Sequence, residues 1–207
     1  MASIYDLKPA FQNLLRPIVR ALVRTGVTAN QVTLFALALS LATGAAIAWW
    51  RNPRVLLLLP AVLLLRMALN AMDGMLAREH NQKTPLGAIL NELGDVIADA
   101  GLYAPLALVP GFPPWLVFAV VLLAILSEMA GVIGVQIGAS RRYDGPMGKS
   151  DRAFIFGLMG LLLGLRVPIA RWIPYVLAVV AVLLALTIAN RARGSLRELR
   201  ASARTTK

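Results

Sequence analysis

Within residues 70–95 lie four side chains whose oxygens could hold a cation: Asn70 and Asp73, three apart, and Asn91 and Asp95, four apart. On helices, each pair shares a face. The chain has no cysteine and one histidine. A site here is therefore built from hard oxygen donors, which suit Mg2+, Mn2+ or Ca2+ rather than zinc. Gly74, Ala77 and Gly87 are small enough to let a ligand approach the backbone. Arg78, one helical turn beyond Gly74, offers a planar fork for an anion. Carboxylates, small residues and an arginine together indicate a metal-bridged phosphate or diphosphate site.

Further charges lie in more apolar surroundings. Arg66 precedes Asp73 by about two helical turns, Asp99 follows Asp95 by one, and Glu128 stands in a separate apolar stretch. An ionisable group at the centre of a membrane span costs roughly 2.5–3.5 kcal/mol on insertion scales, so such groups need compensation. We expect Arg66 to pair with Asp99, Glu128 or both, as a structural layer beneath the first. A proton or ion relay is the other reading. The stretch SRRYDGPMGKSDRAF adds Arg141, Arg142, Lys149 and Arg152. These are candidate ligands for a phosphorylated acceptor, or an ordinary basic loop that orients the chain. His80 reads as a solvent-exposed residue.

What positions these groups is expected to be an all-α integral membrane protein. The chain has 207 residues, 58% of them hydrophobic and 15% charged, with mean hydropathy +0.71. That composition lies outside the soluble globular range. The pattern predicts six transmembrane helices over 29–50, 55–78, 86–109, 114–139, 151–166 and 169–190, in a single membrane domain over 1–207. The short connection between the second and third makes them antiparallel neighbours. An N-terminal amphipathic helix over 3–25 sets Leu14, Leu15, Ile18, Leu22 and Val23 against Arg16, Arg20 and Arg24. It reads as lying in the interface, with a plain solvated helix as the alternative. Residues 191–207 read as a charged cytoplasmic tail.

On this layout sixteen Lys and Arg residues fall on one side, against Arg51, Arg54, Arg166 and Arg171 on the other. Both termini are then cytoplasmic, in a bacterial inner or plasma membrane. The net charge of +11 is accounted for by orientation, and no nucleic-acid partner is expected. Gly134-x3-Gly138 and Gly160-x3-Gly164 permit close helix contact within the chain or between protomers.

The residues from Asn70 to Asp95 resemble the signature of the CDP-alcohol phosphotransferase family, D-x2-D-G-x2-A-R-x8-G-x3-D-x3-D. Asp73, Gly74, Ala77, Arg78, Gly87 and Asp95 fall in register, and the TANQVTLFALALS opening of the first span is also similar. The resemblance implies transfer of a phosphatidyl-type group from a CDP-alcohol, such as CDP-diacylglycerol, to an alcohol acceptor with release of CMP. It implies one or two Mg2+ or Mn2+ ions at Asp73, Asp95, Asn70 and Asn91. It also implies Asp95 as general base, Gly74, Ala77, Arg78 and Gly87 at the nucleotide and diphosphate, and a homodimer. Asn70 and Asn91 occupy positions where the family carries aspartate. This leaves a second expectation open: a CDP-lipid-binding protein with weak or no turnover.

Overall fold

The computed structural model of the chain describes residues 4–205; residue 3 of the expected N-terminal helix and residues 206 and 207 of the expected tail lie outside them. The described residues form seven α-helices and short 3-10 turns. The helices are α1 (Ile4–Arg24), α2 (Ala29–Trp50), α3 (Leu58–Glu79), α4 (Pro85–Tyr103), α5 (Pro114–Gln136), α6 (Lys149–Gly164) and α7 (Ile173–Thr205). Helix α2 begins at a capping box, in which the Thr28 hydroxyl accepts from the Gln31 amide and the Gln31 side chain accepts from the Thr28 amide. Helix α4 begins with Thr84 as cap and Pro85 in its first turn.

Proline also sets where helices stop. A 3-10 turn at Pro53–Leu57 delays α3, and another at Ala104–Leu108, containing Pro105, closes α4 short of the expected residue 109. Helix α5 ends at Gln136, and Gly138 takes φ +92 in the turn that follows.

Four helical segments are long and apolar enough to cross a membrane: Ala29–Trp50, Pro53–Glu79, Pro114–Gln136 and Ala170–Ala203. The other two expected spans are present as helices. However, α4 carries Glu92, Asp95 and Asp99, and α6 has only 16 residues, about 24 Å of rise.

One expectation about packing changes. The second and third predicted spans, α3 and α4, do not lie flush against each other. Helix α2 packs on both, while α3 packs on α6, and α5 on α7. Helices α3 and α4 meet through long polar side chains instead. The α2–α4 seam is correspondingly tight: a Cβ on Gly44 would stand 1.9 Å from the Gly101 carbonyl oxygen, a position only glycine can occupy.

The tail also differs from expectation. Helix α7 continues through Thr205 rather than ending near residue 190. Its buried face runs Leu177, Val180, Leu184, Thr187, Arg191, Ser195, so the 3–4 spacing of the apolar span continues into the charged segment with polar residues.

Two apolar clusters hold the bundle. The larger joins Ile47, Leu59, Leu102, Val117, Phe156 and Leu177, with Tyr103 stacked on Phe156 at 4.2 Å between ring centroids. The smaller fixes α1 against α2 and α3 through Leu15, Val19, Val32 and Met72. Burying side chains of this size contributes about 1.5–3 kcal/mol each. Leu15 and Val19 therefore tie α1 to the bundle, while Leu14 and Ile18 of the expected apolar face point outward. The two glycine motifs are used internally. Gly160 and Gly164 abut Leu56, Leu57 and Leu59, and Gly134 abuts Ser195 and Ser140.

Candidate active site

Of the four oxygen-bearing residues, Asn70 and Asp95 meet across the α3–α4 gap, Asp73 is turned to α2, and Asn91 lines the polar cavity beside Asp95. Asp73 is 5% exposed, and its carboxylate accepts a 2.7 Å hydrogen bond from the Thr33 hydroxyl of α2. Asn70 donates its amide to Asp95 Oδ1 at 3.3 Å, the Lys149 ammonium of α6 pairs with the same oxygen, and Arg66 stands 3.7 Å from it. Asp73, Asp95 and Lys149 interact electrostatically. Asn91 is exposed one turn before Asp95.

The small residues have particular neighbours. A Cβ on Gly74 would meet the Arg78 guanidinium at 2.8 Å, so that side chain folds back over Gly74. A Cβ on Gly87 would meet Asn30 Oδ1 at 2.7 Å. Ala77 is half-buried beside them, and His80, expected to be exposed, is half-buried as well.

These donors can be tested against a hard divalent cation. Two carboxylates and two amide carbonyls are suitable oxygen ligands, and Asp73 keeps one carboxylate oxygen outside its bond to Thr33. Among the described residues, no group of three or more His, Cys, Asp or Glu could hold a metal. The donors on offer are thus the two carboxylates Asp73 and Asp95, with the amide oxygens of Asn70 and Asn91 in place of further acids.

Beneath this end lies a network of buried charge. Arg66 donates to Asp99 and to the Asp95 backbone carbonyl, and Arg152 bonds the other Asp99 oxygen at 2.8 Å. Glu128 does not reach Arg66. It accepts instead from Arg152 (3.2 Å), Arg191 (3.2 Å) and Arg141 (3.3 Å). Arg152 is the hinge of the network, bridging the two acids that Arg66 was expected to share.

The basic stretch divides accordingly. Arg141 forms a bidentate pair with Glu92, both bonds 2.8 Å, and lies over the Tyr143 ring. Arg142 points elsewhere, clipped to Asp144 and Glu198. Hydrogen bonds from Arg142 hold the Asp144 carboxyl below its ordinary value. Arg152, expected to meet an acceptor phosphate, is 1% exposed and engaged with Asp99 and Glu128. Its Nη2 serves both acids, and its Nε and Nη1 are buried without a partner. Thr33 and Arg191 were not singled out from sequence. Thr33 could have been found from its place in the span facing Asp73, and Arg191 from its register on the buried face of α7.

Two cavities adjoin the site. One, of about 460 Å3, is an apolar groove between α3 and α6 lined by Leu63, Leu64, Met67, Phe154 and Leu158 and reaching Asn70 and Lys149. The other, of about 300 Å3, is polar and contains Asn91, Asp95, Glu128, Arg141, Lys149 and Arg191. Lys149 lines both. The bonded trio Asn70, Asp95 and Lys149 stands where they join.

The model of the CDP-alcohol phosphatidyltransferase family matches residues 26–196. Inner membrane protein YnbA of Escherichia coli K12 is 48% identical over 194 residues, 94% of this chain and 96% of that protein. Phosphatidylinositol phosphate synthase of Corynebacterium glutamicum is 30% identical over 177 residues, 82% and 78% of the two chains. The crystal structure of Mycobacterium tuberculosis phosphatidylinositol phosphate synthase (PgsA1) with CDP-DAG bound has the same fold. Its TM-score is 0.73 at 22% identity, over 86% of this chain and 92% of that one. The same synthase has been solved in complex with manganese and citrate. From Asp73 to Asp95 the signature sits within the matched region, and this chain belongs to the CDP-alcohol phosphatidyltransferase family.

Proposed function

We propose that the chain is a membrane-embedded phosphotransferase. It moves a phosphatidyl-type group from a CDP-diacylglycerol-type donor to an alcohol acceptor and releases CMP. One observation carries this reading: Asp95 lines a polar cavity and is held by Asn70 and Lys149, both of which line the apolar groove beside it. The groove suits acyl chains and the cavity an alcohol, so the two substrates meet at a carboxylate.

Asp95 takes the proton from the acceptor hydroxyl. The hydroxyl oxygen bonds to the donor phosphorus that carries the lipid, the bond from that phosphorus to the CMP oxygen breaks, and CMP leaves with the electron pair. Lys149 holds one Asp95 oxygen, which fixes the carboxylate for the other to act. Arg78, folded over Gly74, offers its fork to the diphosphate. Asp73 and Asp95, with the carbonyls of Asn70 and Asn91, would hold a Mg2+ or Mn2+ ion, which when bound offsets diphosphate charge.

The same reading makes α4 and α6 two further spans, six in all, with their charges turned inward. Both termini are cytoplasmic, α1 lies in the interface, and the chain forms one domain in a bacterial inner membrane. Exposed Trp49, Trp50 and Trp115 at the opposite ends of α2 and α5 support the orientation, as does the outward face of Leu14 and Ile18. The chain's homodimer forms away from the two glycine motifs, which pack internally. The absence of cysteine makes topology easy to test. Lys83→Cys should react with an impermeant thiol reagent only from the cytoplasmic side, and Asn52→Cys only from the other.

The transfer itself is tested by measuring CMP release from CDP-diacylglycerol vesicles with Mg2+ or Mn2+ across a panel of alcohols. Release that is abolished in Asp95→Asn supports the proposal. Absence of release with every alcohol overturns it. The second reading, a CDP-lipid-binding protein, is favoured by Asn70 spending its amide on Asp95. It expects donor binding without CMP release, and turnover only in the Asn70→Asp, Asn91→Asp double variant.

A further inference from the structure

The polar cavity has a charge balance that its basic loop conceals. Four carboxylates, from Glu92, Asp95, Glu128 and Asp151, line it together with three cations, Arg141, Lys149 and Arg191. The Arg152–Asp99 pair behind the wall leaves that balance unchanged. Even with Asp95 assigned to catalysis, acids and bases are equal.

Each cation also has an acid partner, though Arg152 offers only its Nη2 and keeps Nε and Nη1 buried without one. Arg141 carries Glu92 and Glu128, Arg191 carries Glu128, Arg152 carries Asp99 and Glu128, and Lys149 carries Asp95. Glu128 is the common element: one carboxylate, 14% exposed, accepts from three arginines. It fills the space between Arg141, Arg152 and Arg191 with an anion of the protein's own. Near Arg152 the remaining void, lined by Asp99, Tyr103 and Glu128, measures about 10 Å3. That is the size of one water at most, and a phosphate does not fit.

We infer that Glu128 is a built-in counter-anion that sets acceptor choice, and that the acceptor is a neutral polyhydroxylic alcohol rather than a phosphate ester. The inference rests on the transferase reading of the same site. A phosphate dianion entering this cavity meets carboxylates and must displace Glu128 from its arginines, with no net positive charge to offset the repulsion. A polyol encounters no such obstacle. Its hydroxyls donate to Glu92, Glu128 or Asp151 and accept from Arg141 or Lys149, so a mixed wall satisfies both halves of each hydroxyl. An amino alcohol brings an ammonium that Glu92, Glu128 and Asp151 attract and Arg141, Lys149 and Arg191 repel, so its charge gains it nothing over a neutral polyol.

The test uses the full chain in vesicles containing CDP-diacylglycerol and Mn2+. CMP release is compared for glycerol and inositol, for their phosphate esters, and for ethanolamine. The wild type is expected to prefer the neutral polyols over their phosphates by about tenfold or more in kcat/KM. Glu128→Gln is expected to reverse that ratio, a change that loss of folding alone would not produce. Preference of the wild type for a phosphate ester or for ethanolamine overturns the inference while leaving the transferase reading intact. So does an unchanged ratio in an active Glu128→Gln. Absence of CMP release with every alcohol overturns the transferase reading instead. In that case inorganic phosphate decides the cavity. It should leave the melting temperature of the wild type unmoved and raise that of Glu128→Gln. Stabilisation of the wild type by phosphate, lost in Arg191→Gln, would overturn the inference by itself.

Discussion

Two acids, one helical turn apart on α4, have opposite surroundings. Asp95 is 29% exposed by its side chain, takes its near contacts from an amide and a mobile type of cation, with Arg66 farther off at 3.7 Å, and lines the polar cavity. Asp99 is 8% exposed and receives a guanidinium on each oxygen. The lesson is that a carboxylate's partners, more than its depth, decide its use. Arginine is permanently charged and geometrically matched to a carboxylate, so Asp99 is committed. A lysine on a flexible stem can yield, and Asp95 stays available.

That contrast can be broken by experiment. The largest effect is expected at Asp95. Asp95→Asn should lower kcat for CMP release by about 10²–10⁴, with little change in the thermal unfolding of the detergent-solubilised protein. Next comes Arg152→Met, which leaves Asp99 and Glu128 short of a buried partner and should destabilise the chain by about 3–5 kcal/mol, read as a lowered melting temperature. If the two variants exchanged their phenotypes, the division between available and committed acids would fail. A smaller change is expected for Asn70→Asp with Asn91→Asp. Added carboxylates should lower the Mn2+ concentration needed for half-maximal CMP release by about tenfold, sharpening the view that the asparagines limit metal affinity. Gly74→Ala should raise KM for the donor about threefold by pushing the Arg78 fork aside, with kcat nearly unchanged.

The smallest effect belongs to the Arg142–Asp144 clip, which lies outside the candidate membrane spans. The folded Asp144 carboxyl is held below its ordinary value. Its contribution is therefore present above the unfolded value and is lost as pH falls through the folded one. Limited proteolysis of the loop should quicken in that acid window, and Asp144→Asn should lessen the pH dependence, leaving the part that Glu198 carries.

Much of this was legible in the sequence because membrane helices write their length in apolar residues and their ends in proline and arginine. Residues 29–50 are both the predicted span and α2. The signature residues stood out through fixed spacing, which requires no knowledge of the partner helix. What could not be read was the pairing across helices. Arg66 and Glu128 share a depth, yet Arg152 stands between Asp99 and Glu128, and spacing along one helix carries no information about which neighbour intervenes. Arg152 and Arg141 looked like free cations because their acids, Asp99 and Glu92, lie far away in sequence. The end of α7 was missed for a different reason. Its buried face changes from leucine to threonine, arginine and serine at Thr187, Arg191 and Ser195, so hydropathy falls while the helix continues.

The groove between α3 and α6 has a kinetic consequence on the proposed reading. Because it is lined by Leu63, Leu64, Phe154 and Leu158, a lipid reaches Asp95 by travelling within the plane of the bilayer. Its effective concentration is then a mole fraction among membrane lipids, while the alcohol's is a molarity in water. Diluting the membrane with inert lipid at constant bulk donor should slow the reaction, whereas diluting the vesicle suspension should not. The lipid product leaves by the same entrance, so its accumulation in the leaflet competes directly with the next donor.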